Sequence, residues 1–524
     1  KEASPEAAQP APEANTPSGK VEMPVTDTMH AIAFVLWHKV LDAPVLMSEE
    51  AAFRVFCDAS AEVNSPRTRA AWQAVNLSRE MLTPCPEEWQ PYLEAYIRHK
   101  ASWNLVDYIE LIEFWREQID NGLFTPPWEH VLVDEIQDLT PLQLTVIKNL
   151  LPEDGQGFFG IGDPNQSIYG FRGAHGQAHE FFQQTWPDLK IINLTENYRS
   201  ASEILATAGP VLSDQAVGEL PRAVNHPPSE IRLFEAPTAE SEASWVADQI
   251  ARLLGPTSHT LMDAAAESAL PGEPLSPGDI AILVRLGALM HPLKEALNRR
   301  GIPCSVPTEE VFWADARVRS IIDAAGVFLG IVEGNPDQAL NCPDRVLAKG
   351  PLGVAAYLQN TAPFDDMFWR SSAFKGLVRA FDTYGGWTGL INWVNLQNEL
   401  ELVRGKSEKV QIMSLHASKG LEFTAVFMPC LEDGLMPFAG PAFLTGQNAD
   451  PSKINFVEEA RLFYVGATRA KQGLYFSHAA RRRLYGRELQ LLPSPLLKKL
   501  PDKWIKHSRL VKHVRQEVEM LTLC

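Results

Sequence analysis

Short apolar runs with the composition of β-strands recur from residue 130 onward, and they alternate with segments of helical pattern. The runs are "VLVDE" at 131–135, "GFFGIGD" at 157–163, "KIINLTENY" at 190–198, "DIAILVR" at 279–285, "VQIMSLH" at 410–416, "TAVFMPC" at 424–430 and "GLYFSHA" at 473–479. Alternation of this kind predicts an α/β fold with parallel sheets covered by helices. Open parallel sheets bind ligands at the carboxyl ends of their strands, so the polar residues after these runs are the first candidates for a site.

Two stretches before residue 130 have helical pattern. "SEEAAFRVFCDASAEV" at 48–63 offers Ser48 as an N-cap, followed by acidic residues and then by apolar residues at helical spacing. "WNLVDYIELIEFWREQID" at 103–120 predicts a second amphipathic helix. From about 317 to 405 the pattern is again helical but irregular, which predicts an insertion within a second sheet domain.

Composition sets the class of protein. The length of 524 residues is enough for about two to four domains, and the hydrophobic fraction of 45% is typical of a globular protein. No window reaches ~18 unbroken apolar residues, which argues against a membrane span. The six cysteines are scattered without a CxxC pair, so neither a zinc site nor a disulfide framework is predicted. A reducing, cytoplasmic location fits this pattern.

The start of the chain and its charge carry separate expectations. Residues 1–24 have the Pro/Ala/Glu composition of a disordered linker, with no apolar signal core and no Met at the first position. We therefore expect the chain to be a fragment. The net charge of −18 argues against a protein that coats DNA. Positive charge is concentrated in "RRRLYGR" at 481–487 and in residues 498–515, where a solvated surface and a DNA contact both stay open.

Two adjacent carboxylates follow the first strand-like run, in "HVLVDEIQDLT" at 130–140. The continuous apolar run at 131–133 is typical of a strand covered on both faces of a parallel sheet. Asp134 and Glu135 would then lie at its carboxyl end, where they could hold a hydrated divalent cation and polarise a water. The alternative is that Asp134 caps a following helix and Glu135 is merely solvated.

The second polar cluster is "GIGDPNQSIYGFRGA" at 160–174. Gln166 could hydrogen-bond a phosphate oxygen, while Tyr169 and Phe171 beside Arg172 suit stacking on the bases of a single strand. A turn whose aromatic side chains are tucked into the core is the alternative. The third cluster, "NLTENYRS", places an aromatic ring and a permanent cation side by side at Tyr198 and Arg199. Such a pair suits an adenine ring and a terminal phosphate.

Two late clusters complete the set. "IMSLHASKGLEFTAVFMP" places His416, Lys419 and Glu422 around a glycine turn between two strands. In "EEARLFYVGATRAKQGLYF", Arg469 ends a helix before another strand, where it could stabilise charge on a transferred phosphoryl group. The alternative is a surface ion pair between Arg469 and Glu458 or Glu459.

Taken in order, the clusters resemble the motifs of the UvrD/Rep/PcrA family of superfamily 1 DNA helicases. "VDEIQD" is similar to motif II, "GDPNQSIYGFRGA" to motif III, "NYRS" to motif IV, "SLHASKGLEF" to motif V, "RLFYVGATRA" to motif VI and "TDTMHAIAFVL" at 26–36 to motif Ib. The resemblance implies two RecA-like parallel-sheet lobes of the P-loop NTPase type, with helical inserted subdomains. It implies an ATP-dependent helicase or translocase with 3′ to 5′ polarity, in which hydrolysis between the lobes drives movement on DNA.

The same resemblance implies roles for individual residues. For ATP and Mg²⁺, the residues are Asp134 as the metal ligand, Glu135 as the activator of water, Gln166, Arg199 and Arg469 on the γ-phosphate, Tyr198 on adenine and Glu422 on the ribose. For single-stranded DNA and duplex junctions, they are Thr28, His30 and His416 on the backbone, and Tyr169, Phe171 and Arg172 along the strand. Phe171 departs from the family's usual Trp and keeps a stacking face.

The family's phosphate-binding loop, G-x-x-x-x-G-K-[ST], does not occur in this sequence. The nearest candidate, "TPSGKV" at 16–21, lacks the first Gly and the final Ser or Thr and has linker composition. We expect this chain to bind ATP poorly alone, and a segment before motif Ib to be cut away or supplied by another chain. The rival interpretation is a non-catalytic DNA-binding or regulatory module, although such a module has no need of Glu135, Gln166, Arg199 and Arg469 together.

Domain bounds follow from the motif order. We predict a linker over 1–24, a first lobe with a helical insertion over 25–190, a second lobe in two parts over 191–316 and 406–490, a shortened helical insertion over 317–405, and a basic tail over 491–524. The short insertion favours translocation over strand separation. Repair proteins are candidate partners.

Overall fold

The computed structural model of the chain describes residues 26–40, 45–63, 67–170, 173–174, 176–212, 216–224, 229–255, 274–306, 315–329, 342–358, 364, 368–369, 371–383, 385–392, 394, 408–444 and 454–509. These residues fall into two compact units. The first unit holds residues up to Gly162 together with Phe171–Leu189, and the second holds Asp163–Gly170 and everything from Lys190 onward. The domain bounds drawn from the sequence stay a prediction.

The described helices have ordinary lengths for a globular protein. They are α1 Met29–Val40, α2 Glu49–Ser60, α3 Thr68–Glu80, α4 Gln90–Ser102, α5 Tyr108–Asp120, α6 Pro141–Asn149, α7 Ala178–Thr185, α8 Ser202–Leu212, α9 Ala239–Leu253, α10 Met290–Arg299, α11 Ala316–Phe328, α12 Asp344–Leu347, α13 Gly350–Leu358, α14 Ser372–Thr383, α15 Pro441–Leu444 and α16 Phe456–Ala467. The predicted cap of α2 is confirmed, since the side chain of Ser48 accepts a hydrogen bond from the backbone N–H of Ala51.

The strands confirm most of the apolar runs. They are β1 Val45–Leu46, β2 Leu105–Val106, β3 Val131–Val133, β4 Phe158–Gly160, β5 Glu196–Asn197, β6 Arg222–Ala223, β7 Glu230–Ala236, β8 Ile280–Val284, β9 Cys304–Ser305, β10 Val410–Ser414, β11 Phe423–Met428, β12 Ala470–Ala479, β13 Arg481–Leu484, β14 Arg487–Gln490 and β15 Lys506–Arg509. The helix predicted over 103–120 is shorter than expected, because Leu105 and Val106 pair with β1 before Asp107 caps α5.

A seven-stranded parallel sheet forms the centre of the second unit, with strand order β15-β7-β12-β11-β8-β10-β9. Side chains alternate between its faces: Ala281 and Leu283 of β8 pack in one apolar cluster with α8 and α16, while Ile280 and Ile282 pack in another with α9 and α10. All five residues of β8 are buried. This sheet, covered by helices on both faces, confirms the predicted α/β class.

The first unit contains a two-stranded parallel sheet in which Val131, Leu132 and Val133 of β3 pair with Phe158, Phe159 and Gly160 of β4. The expectation that β3 is covered on both faces is wrong. Val133 and Phe158 pack on α6 and α7, but Leu132 is 73% exposed and Phe159 is 56% exposed. Alternate residues of a strand face opposite sides, so one face of this sheet is packed and the other meets solvent.

The strand predicted over 190–198 is largely absent. Residues 190–195 adopt no regular structure, and only Glu196 and Asn197 pair, with Arg222 and Ala223 of β6. Ile192 and Leu194 are 80% and 83% exposed, respectively, so the apolar run that predicted a strand has no packed face here.

The described elements between 315 and 383 are helices, and they share an apolar cluster of their own around Leu377, Leu390 and Trp387. Within the described parts of the chain, no helix is both long enough and apolar enough to cross a membrane.

Candidate functional site

Asp134 and Glu135 follow β3 directly in the first unit, and both side chains are exposed. The Oδ1 of Asp134 accepts the backbone N–H of Glu135 at 2.9 Å, and the Glu135 carboxylate accepts a hydrogen bond from the amide of buried Gln137. Glu135 has a φ of 53°, in the left-handed region that costs a non-glycine residue free energy and is concentrated at functional sites. The turn thus holds two carboxylates open to solvent at the end of a strand.

Helix capping does not explain this pair. A short 3₁₀ turn follows at Ile136–Asp138, and the residue at its N-cap, Glu135, makes no side-chain capping bond. The next helix, α6, is capped by Thr140 in a reciprocal arrangement with Gln143. The interpretation of Asp134 as a helix cap is therefore wrong.

Gln166 lies in the second unit at the end of a 3₁₀ turn, Pro164–Gln166, that four side-chain hydrogen bonds hold in place. Asp163 accepts the N–H of Asn165 at 2.9 Å and the side-chain amide of Gln166 at 2.8 Å. The side chain of Asn165 exchanges two hydrogen bonds with the backbone of Val217, at 3.0 and 2.8 Å. Because Asp163 holds the nitrogen end of the Gln166 amide, its oxygen end is presented in a fixed direction.

That oxygen meets Arg469. The Nη2 of Arg469 donates to Gln166 Oε1 at 2.9 Å, its Nε donates to the carbonyl of Val465 at 3.0 Å, and its Nη1 donates to the carbonyl of Leu421 at 3.3 Å. Arg469 is 1% exposed. The alternative of a surface ion pair is therefore wrong for Arg469. Glu459 instead pairs with Arg285 at 2.8 Å.

Arg199 stands on a turn that is joined to the start of β12. The side chain of Asn197 accepts the N–H groups of Arg199 and Ser200 at 3.0 and 2.8 Å. The hydroxyl of Ser200 donates to the carbonyl of Ala470 at 2.8 Å. These bonds tie the "NYRS" segment to the strand that follows Arg469, so two distant sequence motifs share one backbone framework.

Glu422 receives two cations. The Nε of Arg199 lies 2.9 Å from Glu422 Oε2, and the Nζ of Lys471 lies 2.7 Å from Glu422 Oε1. The ammonium of Lys471 and the guanidinium of Arg199 lower the pKa of Glu422. The carboxylate therefore stays ionised, and it keeps Arg199 beside it.

Tyr198 is 69% exposed, and its hydroxyl donates to the carboxylate of Glu196, which raises the pKa of the tyrosine. The ring is open to solvent on the same turn as Arg199. It is available to a planar ligand.

Tyr169, His416 and Lys419 form a neighbouring group in the second unit. The hydroxyl of Tyr169 lies 3.4 Å from the carbonyl of His416, with ring centroids 6.2 Å apart. Lys419 donates to the backbone carbonyl of Gln166 at 3.0 Å and lies 5.7 Å from the centre of the Tyr169 ring. Tyr169 is half-buried, so it partly fits both the stacking and the core alternatives. Gly420, with a φ of +81°, makes the tight turn between β10 and β11 that a side chain would strain.

Thr28 and His30 lie at the start of α1 in the first unit. Thr28 is exposed, and its hydroxyl oxygen accepts the N–H of Ala31 at 3.2 Å. His30 is half-buried with its ring edge-on to Tyr108 at 5.5 Å, and burial lowers its pKa. Phe171, Arg172 and the "TPSGKV" segment lie outside the described residues.

Most of the sequence matches two models of known protein families. Residues 58–187 match the UvrD/REP helicase N-terminal domain, and residues 192–330 and 384–481 match the UvrD-like helicase C-terminal domain. The chain belongs to the UvrD-like helicase family. Membership in that family implies the RecA-like fold, in agreement with the parallel sheets described above.

Several curated proteins are similar to this UvrD-like chain. ATP-dependent DNA helicase UvrD2 of Mycobacterium tuberculosis (strain ATCC 25618 / H37Rv) is 30% identical over 403 residues, covering 73% of this chain and 53% of that protein. DNA helicase II of Escherichia coli (strain K12) is 26% identical over 519 residues, covering 83% and 68%. ATP-dependent DNA helicase UvrD1 of Mycobacterium tuberculosis, from the same strain as UvrD2, is 26% identical over 492 residues, covering 73% and 59%. The chain spans about half the length of the UvrD2 proteins it matches.

Among solved structures, a crystal structure described as the C-terminal domain of a possible DNA helicase from Lactobacillus plantarum covers 59% of this chain and 98% of its own. Its sequence identity is 13% and its TM-score is 0.25, too low to support an argument.

Sequence reasoning gave no role to Asp163, Asn197 or Lys471 in this UvrD-like site. Asp163 and Asn197 orient functional candidates through bonds to residues two or three positions away, a signal that Asx turns could have supplied. Lys471 could not have been found in that way. Its contact with Glu422 depends on the parallel pairing of β11 with β12, which aligns Phe423 with Ala470.

Proposed function

We propose that this chain is the motor portion of an ATP-dependent DNA helicase or single-stranded DNA translocase of UvrD type. The observation that carries the proposal is the contact between Arg469 and Gln166, beside the pair formed by Arg199 and Glu422. Three sequence segments, 163–170, 197–201 and 421–471, supply these residues. A site with two arginines and a fixed amide suits a polyphosphate, because guanidinium groups bind phosphate oxygens in a bidentate manner.

The nucleotide roles in this proposal are those that the resemblance to the family implies, and the chemistry of the residues supports them. Arg199, Arg469 and Gln166 contact the γ-phosphate, while the exposed ring of Tyr198 stacks on adenine and Glu422 accepts a ribose hydroxyl. In the first unit, Asp134 would hold a magnesium ion and Glu135 would orient and deprotonate the attacking water. Their side chains fit a hard cation, since both are solvent-exposed carboxylates at the end of a parallel strand. When bound, the ion supplies charge neutralisation at the phosphates.

The DNA roles rest on a second set of residues. Lys419 donates to the backbone carbonyl of Gln166, and the hydroxyl of Tyr169 lies near the carbonyl of His416. A change at Gln166, which is proposed to contact the nucleotide, can therefore reach Tyr169 and His416, which are proposed to contact DNA, within one unit. Thr28, His30, Phe171 and Arg172 complete the DNA contacts in the proposal, with 3′ to 5′ movement. Single-stranded DNA is the substrate. Duplex junctions are the second DNA partner.

The phosphate-binding loop that such a motor uses is not among these 524 residues. We place it in sequence beyond this chain. The exposed apolar face of the β3–β4 sheet supports this proposal, because parallel sheets are normally covered on both faces and a two-stranded sheet alone is marginal.

The test is ATP hydrolysis by the full-length gene product, with and without single-stranded DNA. We expect DNA to stimulate hydrolysis, and we expect Glu135→Gln to lower kcat by about a hundredfold or more, as loss of a general base does. Glu153→Gln, another exposed glutamate of the first unit, is the matched control. DNA binding without any ATP hydrolysis by the full-length protein would establish the non-catalytic DNA-binding module instead.

A further inference from the structure

Lys471 forms, with Arg199, a pair of cations that share the carboxylate of Glu422. Each carboxylate oxygen meets one cation, Oε2 with Arg199 at 2.9 Å and Oε1 with Lys471 at 2.7 Å. The side chains of Arg199, Glu422 and Lys471 are 36%, 44% and 39% exposed, so all three can be reached by a ligand from solvent.

The backbone around these side chains is held in register. The N–H of Ala201 donates to the carbonyl of Lys471 at 2.9 Å, and the N–H of Phe423 donates to the carbonyl of Arg469 at 2.9 Å. Backbone hydrogen bonds thus fix β12, which carries Lys471, against the turn that carries Arg199 and against the start of β11, next to Glu422. Their side chains can exchange partners without any movement of the strands.

Lys471, the second cation on Glu422, changes what the carboxylate loses when Arg199 moves away. A carboxylate paired with Arg199 alone would have to lose that partner whenever the guanidinium turned to a phosphate. With Lys471 present, one oxygen of Glu422 keeps its cation while the other is released. Because Glu422 is partly exposed, loss of one partner has a modest cost, and Lys471 lowers that cost by keeping its contact with Oε1.

We propose, on the basis of the function proposed above, that Lys471 is a positioning residue that retains Glu422 Oε1 while Arg199 moves to a nucleotide phosphate. Glu422 Oε2 then becomes the acceptor for a ribose hydroxyl. Lys471 in this way links two events at the site, release of the arginine and recognition of the sugar. It makes the site selective for ribonucleoside triphosphates over analogues that lack the hydroxyls.

Lys471→Gln removes the cation that contacts Glu422 Oε1. Glu422 is left with Arg199 as its cation, so the arginine is released less readily and the sugar acceptor is blocked. We expect the KM for ATP to rise about two- to fivefold, the range for a partly exposed ion pair, with a smaller change in kcat. The ratio of kcat/KM for ATP to that for 2′,3′-dideoxyATP should fall by a similar factor. Lys471→Arg should restore both values.

The experiment uses the full-length protein and measures steady-state hydrolysis of ATP and 2′,3′-dideoxyATP in the presence of single-stranded DNA. Lys506→Gln is the matched control, because Lys506 also pairs with a glutamate, Glu230, at 3.3 Å on a strand of the same sheet. Lys471→Gln is also made in a Glu422→Gln background. There its effect should disappear, because the carboxylate through which it acts is gone.

The possible results distinguish failure of the proposed function from failure of the role proposed for Lys471. If the parent protein hydrolyses no ATP, the proposed function fails and this inference fails with it. If the parent hydrolyses ATP but Lys471→Gln matches Lys506→Gln in KM and in sugar discrimination, the inference alone is overturned. An effect of Lys471→Gln that persists in the Glu422→Gln background also overturns it, since Lys471 would then act independently of Glu422.

Discussion

Arg469 and Gln166 are separated by 303 positions in the sequence, and the Nη2 of Arg469 donates a 2.9 Å hydrogen bond to the Oε1 of Gln166. Arg469 is almost completely buried, and two backbone carbonyls fix the rest of its guanidinium. A permanent cation in a low-dielectric position interacts strongly with any anion that reaches it. These hydrogen bonds therefore fix the position of the Arg469 guanidinium before a ligand binds.

Arg469→Lys should abolish most ATP turnover by the full-length protein. A lysine ammonium cannot span the acceptors on Val465, Leu421 and Gln166 from one side chain, so the charge would be misplaced even though it is kept. We expect kcat to fall by about a thousandfold, the lower end of the range for an arginine that stabilises a transferred phosphoryl group. Coupled-enzyme ATPase measurements check this value.

Arg299→Lys is the matched control, since Arg299 is an exposed arginine on α10 of the same unit. Thermal melting of both variants separates lost catalysis from lost folding. Turnover of folded Arg469→Lys within twofold of the parent would remove Arg469 from the phosphate site.

The second unit also contains a buried cluster in which one arginine serves two carboxylates. Arg482 lies 2.6 Å from Glu432 Oε1 and also contacts Glu242, and both glutamates are at most 1% exposed. Burial, and then the neighbouring Glu242 carboxylate, raise the pKa of Glu432 to about 7. His478 is close to the same groups, and burial lowers its pKa.

The sign of the pH dependence follows from linkage. A carboxyl with a higher pKa in the folded state binds protons more tightly when folded, so its contribution stabilises the fold at low pH. That stability is lost as the pH rises from the ordinary glutamate pKa through about 7. Glu432→Gln keeps the Arg482–Glu242 pair and removes this titration. Its melting temperature, relative to that of the parent, should therefore increase between pH 5 and pH 8.

Differential scanning calorimetry at several pH values measures this difference, and the titration of His478 is common to both proteins. Glu488→Gln, an exposed glutamate on β14, should melt in parallel with the parent at every pH. A constant difference between Glu432→Gln and the parent would show that Glu432 is ionised throughout this range.

The sequence predicts those strands that long apolar runs form, but it does not predict which distant segments pair. The strands β8, β10, β11 and β12 were predictable because their apolar runs are long and buried on both faces. The run at 190–195 also contains strand-favouring residues, Ile191, Ile192 and Leu194, but forms no strand, because pairing needs a neighbouring strand that composition does not specify. Local propensity alone could not distinguish the two cases.

Some residues of the candidate site were likewise predictable from the sequence, and others were not. Motif residues such as Arg199 and Arg469 could be chosen from residue type and position, and the structure places them within one unit near Glu422 and Gln166. The participation of Lys471 could not be predicted. It depends on a parallel register between strands 47 residues apart, from Phe423 to Ala470, which no local pattern encodes.

Substitution of Asp107 should strongly destabilise the first unit. Its carboxylate caps α5 by accepting the N–H of Glu110, and it also accepts hydrogen bonds from Lys100 at 2.6 Å, Tyr96 at 3.0 Å and Arg79 at 3.0 Å. Although burial opposes ionisation, the charges of Arg79 and Lys100 prevail and hold the pKa of Asp107 well below its usual range. Asp107→Asn should destabilise this unit by about 3 kcal/mol, as removal of one charge from a buried network does.

Hydrogen exchange followed by mass spectrometry checks this, with faster exchange expected in α3, α4 and α5. The linkage sign is opposite to that of Glu432: Asp107 contributes stability above the ordinary aspartate pKa, and this is lost as the pH falls through the lower folded value. Asp120→Asn is the control, because Asp120 is a half-exposed residue at the end of α5. Unchanged exchange in Asp107→Asn would mean that the network adds nothing net.

The hairpin of β13 and β14 presents the basic run at 481–487 to solvent. Arg481, Arg483, Tyr485 and Arg487 are exposed, whereas Arg482 and Leu484 of the same strand are buried. Alternation along β13 thus places Arg482 in the core and Arg481 and Arg483 together on the exposed face of the hairpin. Of the two alternatives for this run, we predict contact with DNA phosphates by the exposed arginines.

The double variant Arg481→Gln with Arg483→Gln should bind single-stranded DNA more weakly in fluorescence anisotropy at low salt. Removing one arginine–phosphate ion pair lowers the slope of log K against log salt concentration by about 0.7, so the slope should become shallower by about 1.4. Arg299→Gln with Arg319→Gln makes the same change in net charge on exposed helix surfaces. If both double variants reduce affinity equally and leave the slope alike, the hairpin acts only through overall charge and is a solvated surface.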